Sequence, residues 1–201
     1  MGNLRSAQKG LEKAGHNAKI TDDPGVIAEA DAVVLPGVGA FKDCFEGLRS
    51  RGLVKPIENA AASGKPFLGI CVGLQLLFED SEEGGLSRGL GILPGRVVRF
   101  PDARQTGLKV PHMGWNKITR APGREVKILD GAQENPYVYF VHSYFAKPSD
   151  ESLVLATCEY GVKFAAMVGR DNIYAVQFHP EKSQTQGIAI LKAFGDLVKE
   201  K

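Results

Sequence analysis

The chain has 201 residues, 43% of them hydrophobic and 24% charged, with a formal net charge of only +2. That supports one well-buried core in one or at most two domains. No basic block marks a nucleic-acid surface, no apolar run is long enough to cross a bilayer, and the polar start MGNLRSAQKG lacks the apolar centre of a signal peptide. The three cysteines, Cys44, Cys71 and Cys158, form neither a disulfide framework nor a metal-ligand spacing, which suits a reducing cytoplasm. Met1-Gly2 with Ser6 fits an N-acylation pattern. So short a pattern, with no polybasic patch beside it, is read as coincidence.

Residues 3–14 place Leu4, Ala7, Leu11 and Ala14 on one face of an amphipathic helix that Gly15 ends. A short strand is expected around Ala18–Thr21, and Asp22-Asp23-Pro24 opens a second helix. Ala32–Leu35 (AVVL) reads as a strand buried on both faces that stops at Pro36-Gly37-Val38-Gly39. A helical stretch covers roughly 41–63, Lys65–Ile70 (KPFLGI) is the next buried strand, and Val72–Phe78 reads as a helix. From about 96 to 178 the chain offers RVVRF, WNKIT, YVYFVHSY, VLATC, FAAMV and IYAVQF as short strands between turn-like segments. A last helix runs from about Gln184 to Val198. The expected fold is α/β: a mixed central sheet with flanking helices, parallel in its first half and largely antiparallel in its second. No linker separates the halves, so residues 1–201 are expected to form a single domain.

Gly69-Ile70-Cys71-Val72-Gly73 lies between an expected buried strand and a helix, the setting of a nucleophile elbow. A turn this sharp leaves no room for side chains two residues either side, and a helix N-terminus favours thiolate over thiol. The alternative for Cys71 is a small buried cysteine packing helix on strand, and that is the preferred reading for Cys44 and Cys158. Near the other end, Gln177-Phe178-His179-Pro180-Glu181-Lys182-Ser183 follows an apolar strand. Two residues apart in extended chain, His179 and Glu181 point the same way, as a base and its orienter must. His16 is expected to be exposed, and His112 and His142 to be hydrogen-bonded structural residues. The N–H of Val72 is a natural oxyanion donor, and the glycines of the 36–39 loop could turn a second, from Val38 or Gly39, toward the site.

GICVGLQ, FHPEKS and PGVGAF together resemble class I (triad) glutamine amidotransferases with a flavodoxin-like fold. The MGNLRS start, PHMGWN at 111–116 and YFVHSY at 139–144 narrow the resemblance to the glutaminase subunit of imidazole glycerol phosphate synthase, over essentially the whole chain. The resemblance implies that Cys71 attacks the carboxamide of L-glutamine, with His179 and Glu181 completing the triad and no cofactor or metal. Ammonia would pass to a cyclase subunit, a HisF-type (β/α)8 barrel forming a heterodimer, for imidazole glycerol phosphate and aminoimidazole carboxamide ribotide synthesis in histidine biosynthesis. It further implies that Gly39, Gln75, Glu83, Ser143 and Tyr144 hold glutamine. Val38, Gly39 and Val72 would form the oxyanion hole, through a loop whose orientation responds to the liganded partner. Asn3, Met113, Trp115, Tyr137 and Lys182 would face the cyclase. That family has a central strand and an Asp-Tyr-Gly turn ahead of the segment matching Gly2-Asn3, so the natural product is expected to start about a dozen residues upstream. Three other readings stay open at this stage: a different class I amidotransferase, a cysteine hydrolase on a similar elbow, and a non-catalytic relative. Co-purification with a cyclase, a substrate panel and alkylation of Cys71 would separate them.

Overall fold

A computed structural model describes residues 4–102, 104 and 107–198. Asn3, expected at the partner face, and the Met1-Gly2 pair lie outside the described residues. In chain order the helices are α1 (Leu4–Lys13), α2 (Pro24–Glu29), α3 (Phe41–Ser50), α4 (Val54–Ala62), α5 (Val72–Leu76) and α6 (Gln184–Asp196). The strands are β1 (Val33–Gly37), β2 (Phe67–Cys71), β3 (Asp80–Ser81), β4 (Ser87–Arg88), β5 (Gly95–Arg99), β6 (His112–Arg120), β7 (Tyr137–His142), β8 (Tyr144–Pro148), β9 (Val154–Tyr160), β10 (Val162–Arg170) and β11 (Ile173–Val176).

Seven strands form one sheet in the order β1-β2-β11-β10-β9-β6-β7, and four form a second in the order β4-β3-β5-β8. β2 has all five residues buried because it pairs in parallel on both sides, with β1 and with β11. A continuous apolar run is what such a strand needs. β11, drawn from the far end of the chain, is therefore what brings the 177–183 segment beside the end of β2. From β11 outward every pair is antiparallel, through β10, β9, β6 and β7. The expected division into a parallel first half and a mostly antiparallel second half holds.

Several local expectations change. Residues 18–21 form no strand. A strand needs a neighbour to complete its ladder, and among the described residues β1 pairs only with β2. The Ala18 carbonyl instead accepts from the Gln8 side chain at 2.7 Å. The helix expected over 41–63 is two helices. Gly52, at φ +67°, takes the left-handed conformation that ends α3, while Leu53 N–H bonds back to the Leu48 carbonyl. The elbow helix stops at Leu76, closed by short bonds from Leu77 to Leu74 and from Phe78 to Gln75. YVYFVHSY is not one strand. A bend at Ser143 sends β7 into the large sheet and β8 into the small one. That bend places Ser143 and Tyr144 at the seam of the two sheets, where the site is found. His16, expected to be exposed, is tucked against α6: its Nε2 lies 3.1 Å from the Lys192 carbonyl, and its ring fills the space beside Gly195.

Candidate active site

The elbow is built from three backbones in contact. A Cβ on Gly73 would lie 1.8 Å from the Leu35 carbonyl oxygen, and one on Gly69 would lie 2.9 Å from that of Gly73. One on Gly37 would meet Gly73 N and Val72 Cβ at 2.9 Å. Only glycines let β1, β2 and α5 converge so closely. Cys71 sits at the apex with φ 56° and ψ −112°. That conformation costs a residue with a side chain about 1–3 kcal/mol and is sustained only where the surroundings enforce it. The strain aims the thiol out of the sheet toward His179.

His179 is held from three sides. Its N–H donates to the Tyr139 carbonyl at 2.9 Å, and its carbonyl accepts from Ser183 Oγ at 2.7 Å. Its Nδ1 meets Glu181 Oε1 at 2.8 Å. Ser183 Oγ in turn accepts from Tyr139 N–H at 3.0 Å, locking the 179–183 turn onto β7. Because a carboxylate can only accept, Nδ1 carries the proton and Nε2 is left for the sulfur. Both side chains are almost wholly buried. Burial pulls the His179 pKa down, but hydrogen bonds and charge from Cys71 and Glu181 outweigh it and hold the value up at about 9. An imidazolium beside a sulfur is the pairing that activates a cysteine nucleophile.

Cys71 and His179 open onto a cleft of about 490 Å³ that Val38, Gly39, Val72, Gln75, Glu83, Ser143, Tyr144 and Lys182 also line. The structure thus gathers every described triad, oxyanion and glutamine-pocket candidate, apart from Glu181 behind the imidazole. Gly39, at φ +96°, uses the freedom of glycine at the end of the β1 loop. The Val38 carbonyl accepts from Cys44 Sγ at 3.3 Å, which ties the loop to α3, and Phe41 N–H donates to Glu83 Oε2 at 2.7 Å, which ties the start of α3 to the Glu83 segment. Cys44 is thus more than packing: half buried, it holds this loop, and burial pushes its thiol up. Cys158 is buried and its thiol is pushed up to about 12, which leaves it inert. Lys182 lies over the Tyr139 ring, 5.8 Å from its centre.

Sequence reasoning did not anticipate the pair beneath the cleft. His112 Nδ1 and His142 Nε2 are 3.1 Å apart, and His142 Nδ1 meets the Tyr144 carbonyl at 2.9 Å. His112 is stacked between Tyr160 and Phe140. Burial lowers His112 to about 4. Burial also lowers His142, to about 3, against the raising effect of its bond to Tyr144. Both are neutral in the fold, whereas an unfolded histidine binds a proton near pH 6.5. Below that pH the unfolded chain holds more protons than the native one. The contribution of these two histidines is therefore fully present above about pH 6.5 and is expected to fall on acidification, by about 1.4 kcal/mol per pH unit per histidine until the native values near 4 and 3 are reached. Urea unfolding at pH 6, 5 and 4.5 reads this, below the range where His179, raised to about 9, contributes the opposite slope; a constant midpoint across that range would contradict it.

Among the described residues no cluster of His, Cys, Asp or Glu could hold a metal ion, and no helix is long and apolar enough to cross a membrane. Comparison with known proteins places the chain in a family. The model of the family "Glutamine amidotransferase class-I" matches residues 6–196. The chain belongs to the class-I glutamine amidotransferases. Within this family it is 58% identical over 200 residues to imidazole glycerol phosphate synthase subunit HisH of Syntrophotalea carbinolica, covering 98% of this chain and 96% of that one. It is 55% identical over 202 residues to the same subunit of Geobacter sulfurreducens, covering 98% and 95%. The fold matches a crystal structure of a glutamine amidotransferase with a TM-score of 0.74 at 19% identity, covering 98% of this chain and 95% of that one. It matches the glutaminase domain of Trypanosoma brucei CTPS, solved with bound acivicin, at 0.66 and 14% identity, covering 98% and 88%. As class-I amidotransferases are enzymes, the strain at Cys71 belongs to a catalytic fold.

Proposed function

We propose that this chain is the glutaminase subunit of an imidazole glycerol phosphate synthase, working in the cytoplasm in histidine biosynthesis beside a separate cyclase subunit. The observation that carries the reading is the buried line Cys71–His179–Glu181 at a cleft sized for an amino acid. In this reading the Cys71 thiolate attacks the side-chain carbonyl of L-glutamine. The oxyanion meets the Val72 N–H and an amide of the Val38–Gly39 loop. His179 gives its proton to the departing ammonia, leaving a γ-glutamyl thioester. It then takes a proton from the water that releases glutamate, and the departing sulfur restores the thiolate beside the imidazolium. Glu181 keeps the imidazole in the tautomer this requires. No cofactor enters. Gly39, Gln75, Glu83, Ser143 and Tyr144 would enclose the substrate.

A partner face adjoins the cleft. Met113 is 62%, Trp115 45% and Tyr137 59% exposed, rare for large apolar side chains. In the β6–β7 register Met113 faces Val141 and Lys117 faces Tyr137, so all three lie on one side of the ribbon. Val141 and Lys182 belong to the cleft wall, so this apolar face runs up to its rim. A cyclase barrel seated there would receive ammonia directly, and its ligand state would bias the oxyanion loop between two orientations. Glutamate release by the purified chain, alone and with a cognate cyclase plus its nucleotide ligand, tests the proposal. Activation of about 10²-fold or more is expected, the scale on which one oxyanion donor matters. High activity that the cyclase leaves unchanged would overturn it in favour of another class-I amidotransferase.

A further inference from the structure

Gln177 is fully buried and opens the motif that carries His179, yet the reaction just described gives it no part. Its Nε2 lies 3.8 Å from Cys71 Sγ, a length that the large sulfur atom allows for an N–H donor. Its Oε1 is 3.1 Å from Gln75 Nε2, and the same Gln75 nitrogen is 2.9 Å from the Tyr144 carbonyl.

The direction of these bonds is fixed from one end. A backbone carbonyl can only accept, so Gln75 must present its NH2 group to Tyr144. The second hydrogen of that group then reaches the oxygen of Gln177, which turns the Gln177 NH2 toward the sulfur. Tyr144 is itself fixed, since its carbonyl also receives His142 Nδ1–H, whose ring is supported by His112. Two neutral histidines and two amides thus form one connected chain: His142 and Gln75 both donate to the Tyr144 carbonyl, and from Gln75 the donors run through Gln177 to the nucleophile. Such a chain holds each member in a single orientation.

We propose that Gln177 is a further residue of the catalytic centre, an N–H donor to the Cys71 sulfur that favours thiolate, with Gln75 as the positioning residue that aims it. The inference rests on the reading of Cys71 as nucleophile. It assigns the sulfur two supports, the His179 imidazolium on one side and a neutral amide on the other. A donor bonded to the charged form of a group favours that form. It also gives Gln75 a task on the protein side of the cleft, since its NH2 group is occupied before any substrate arrives.

The test is alkylation of the full chain by iodoacetamide as a function of pH, with the labelled cysteine located by peptide mass. Wild type is expected to label at Cys71 well ahead of Cys44 and Cys158. Gln177→Met, close in size but without a donor, is expected to label about ten-fold more slowly at pH 7, with the half-maximal point of its pH profile about one unit higher. A merely structural role for Gln177 would lower thermal stability without moving that profile. Should Gln177→Met fail to fold, Gln75→Met removes the bond that aims the amide, together with the one to the Tyr144 carbonyl, while leaving Gln177 in place, and its profile is expected to move the same way. Superimposable profiles for wild type and the folded variant would overturn the role of Gln177 alone. A wild-type Cys71 no more reactive than Cys158 would overturn the nucleophile assignment and this proposal with it.

Discussion

Cys71→Ala is expected to abolish glutamate release from glutamine, by about 10⁴-fold or more, as removal of a triad nucleophile does elsewhere. The reason is geometric. The described elements place no second cysteine in the cleft: Cys44 lies on α3 with its sulfur turned to the Val38 carbonyl, and Cys158 is buried in β9. His179→Ala is expected to be nearly as damaging, because it removes both the thiolate's counter-ion and the proton donor to ammonia. Since nucleophile and base act as a unit, the double variant should be no slower than the worse single one. Glutamate measured by a coupled dehydrogenase, with the liganded cyclase present, gives all three rates. Circular dichroism should be unchanged for Cys71→Ala. Residual turnover above a hundredth of wild type would remove Cys71 from the mechanism.

Gly73→Ala should be the most destabilising single methyl in the chain's elbow. Its Cβ would sit 1.8 Å from the carbonyl oxygen and 2.8 Å from the carbonyl carbon of Leu35. Neither side can yield: Leu35 is paired with Gly69 in the β1–β2 ladder, and α5 is pinned at its start by the Cys71 turn. A cost above about 4 kcal/mol is expected, a large share of the roughly 5–15 kcal/mol that holds a domain together. Gly47→Ala is the matched control. It lies inside α3 with nothing within 4 Å of the added methyl, so helix propensity alone should raise stability by about 0.5–1 kcal/mol. Soluble yield and urea midpoints decide the matter. A soluble Gly73→Ala within about 1 kcal/mol of wild type would mean that α5 and β1 are not in contact as described.

The line of Cys71, His179 and Glu181 was legible because each part of it has a local signature. GICVG announces strand, turn and helix by its glycines, and the HPE string follows an apolar strand. What stayed hidden depends on contacts between distant segments. Nothing local to Gln177 says that β11 will lie beside β2 and carry that amide to Cys71, and nothing local to His112 or His142 says that their rings will meet. The same limit applies to the fold. AVVL and KPFLGI were readable as strands because burial on both faces demands continuous apolar runs. Residues 18–21 carry a strand-like pattern, but a strand also needs a partner. YVYFVHSY contains no glycine or proline to mark the bend at Ser143. The two-residue strands β3 and β4 are too short to leave any periodicity at all.

The backbone at residue 71 has a further meaning. Glycine would occupy its φ of 56° and ψ of −112° freely, while any other residue pays about 1–3 kcal/mol to stay there. Selection for a well-folded chain and selection for turnover therefore pull this one codon in opposite directions. On the proposed function, it is the need for ammonia and not this backbone that favours a thiol here. In a population freed of that need, glycine at position 71 would be both the inactivating and the stabilising substitution. Loss of the enzyme would then leave no misfolded remnant behind, but a sturdier and silent protein.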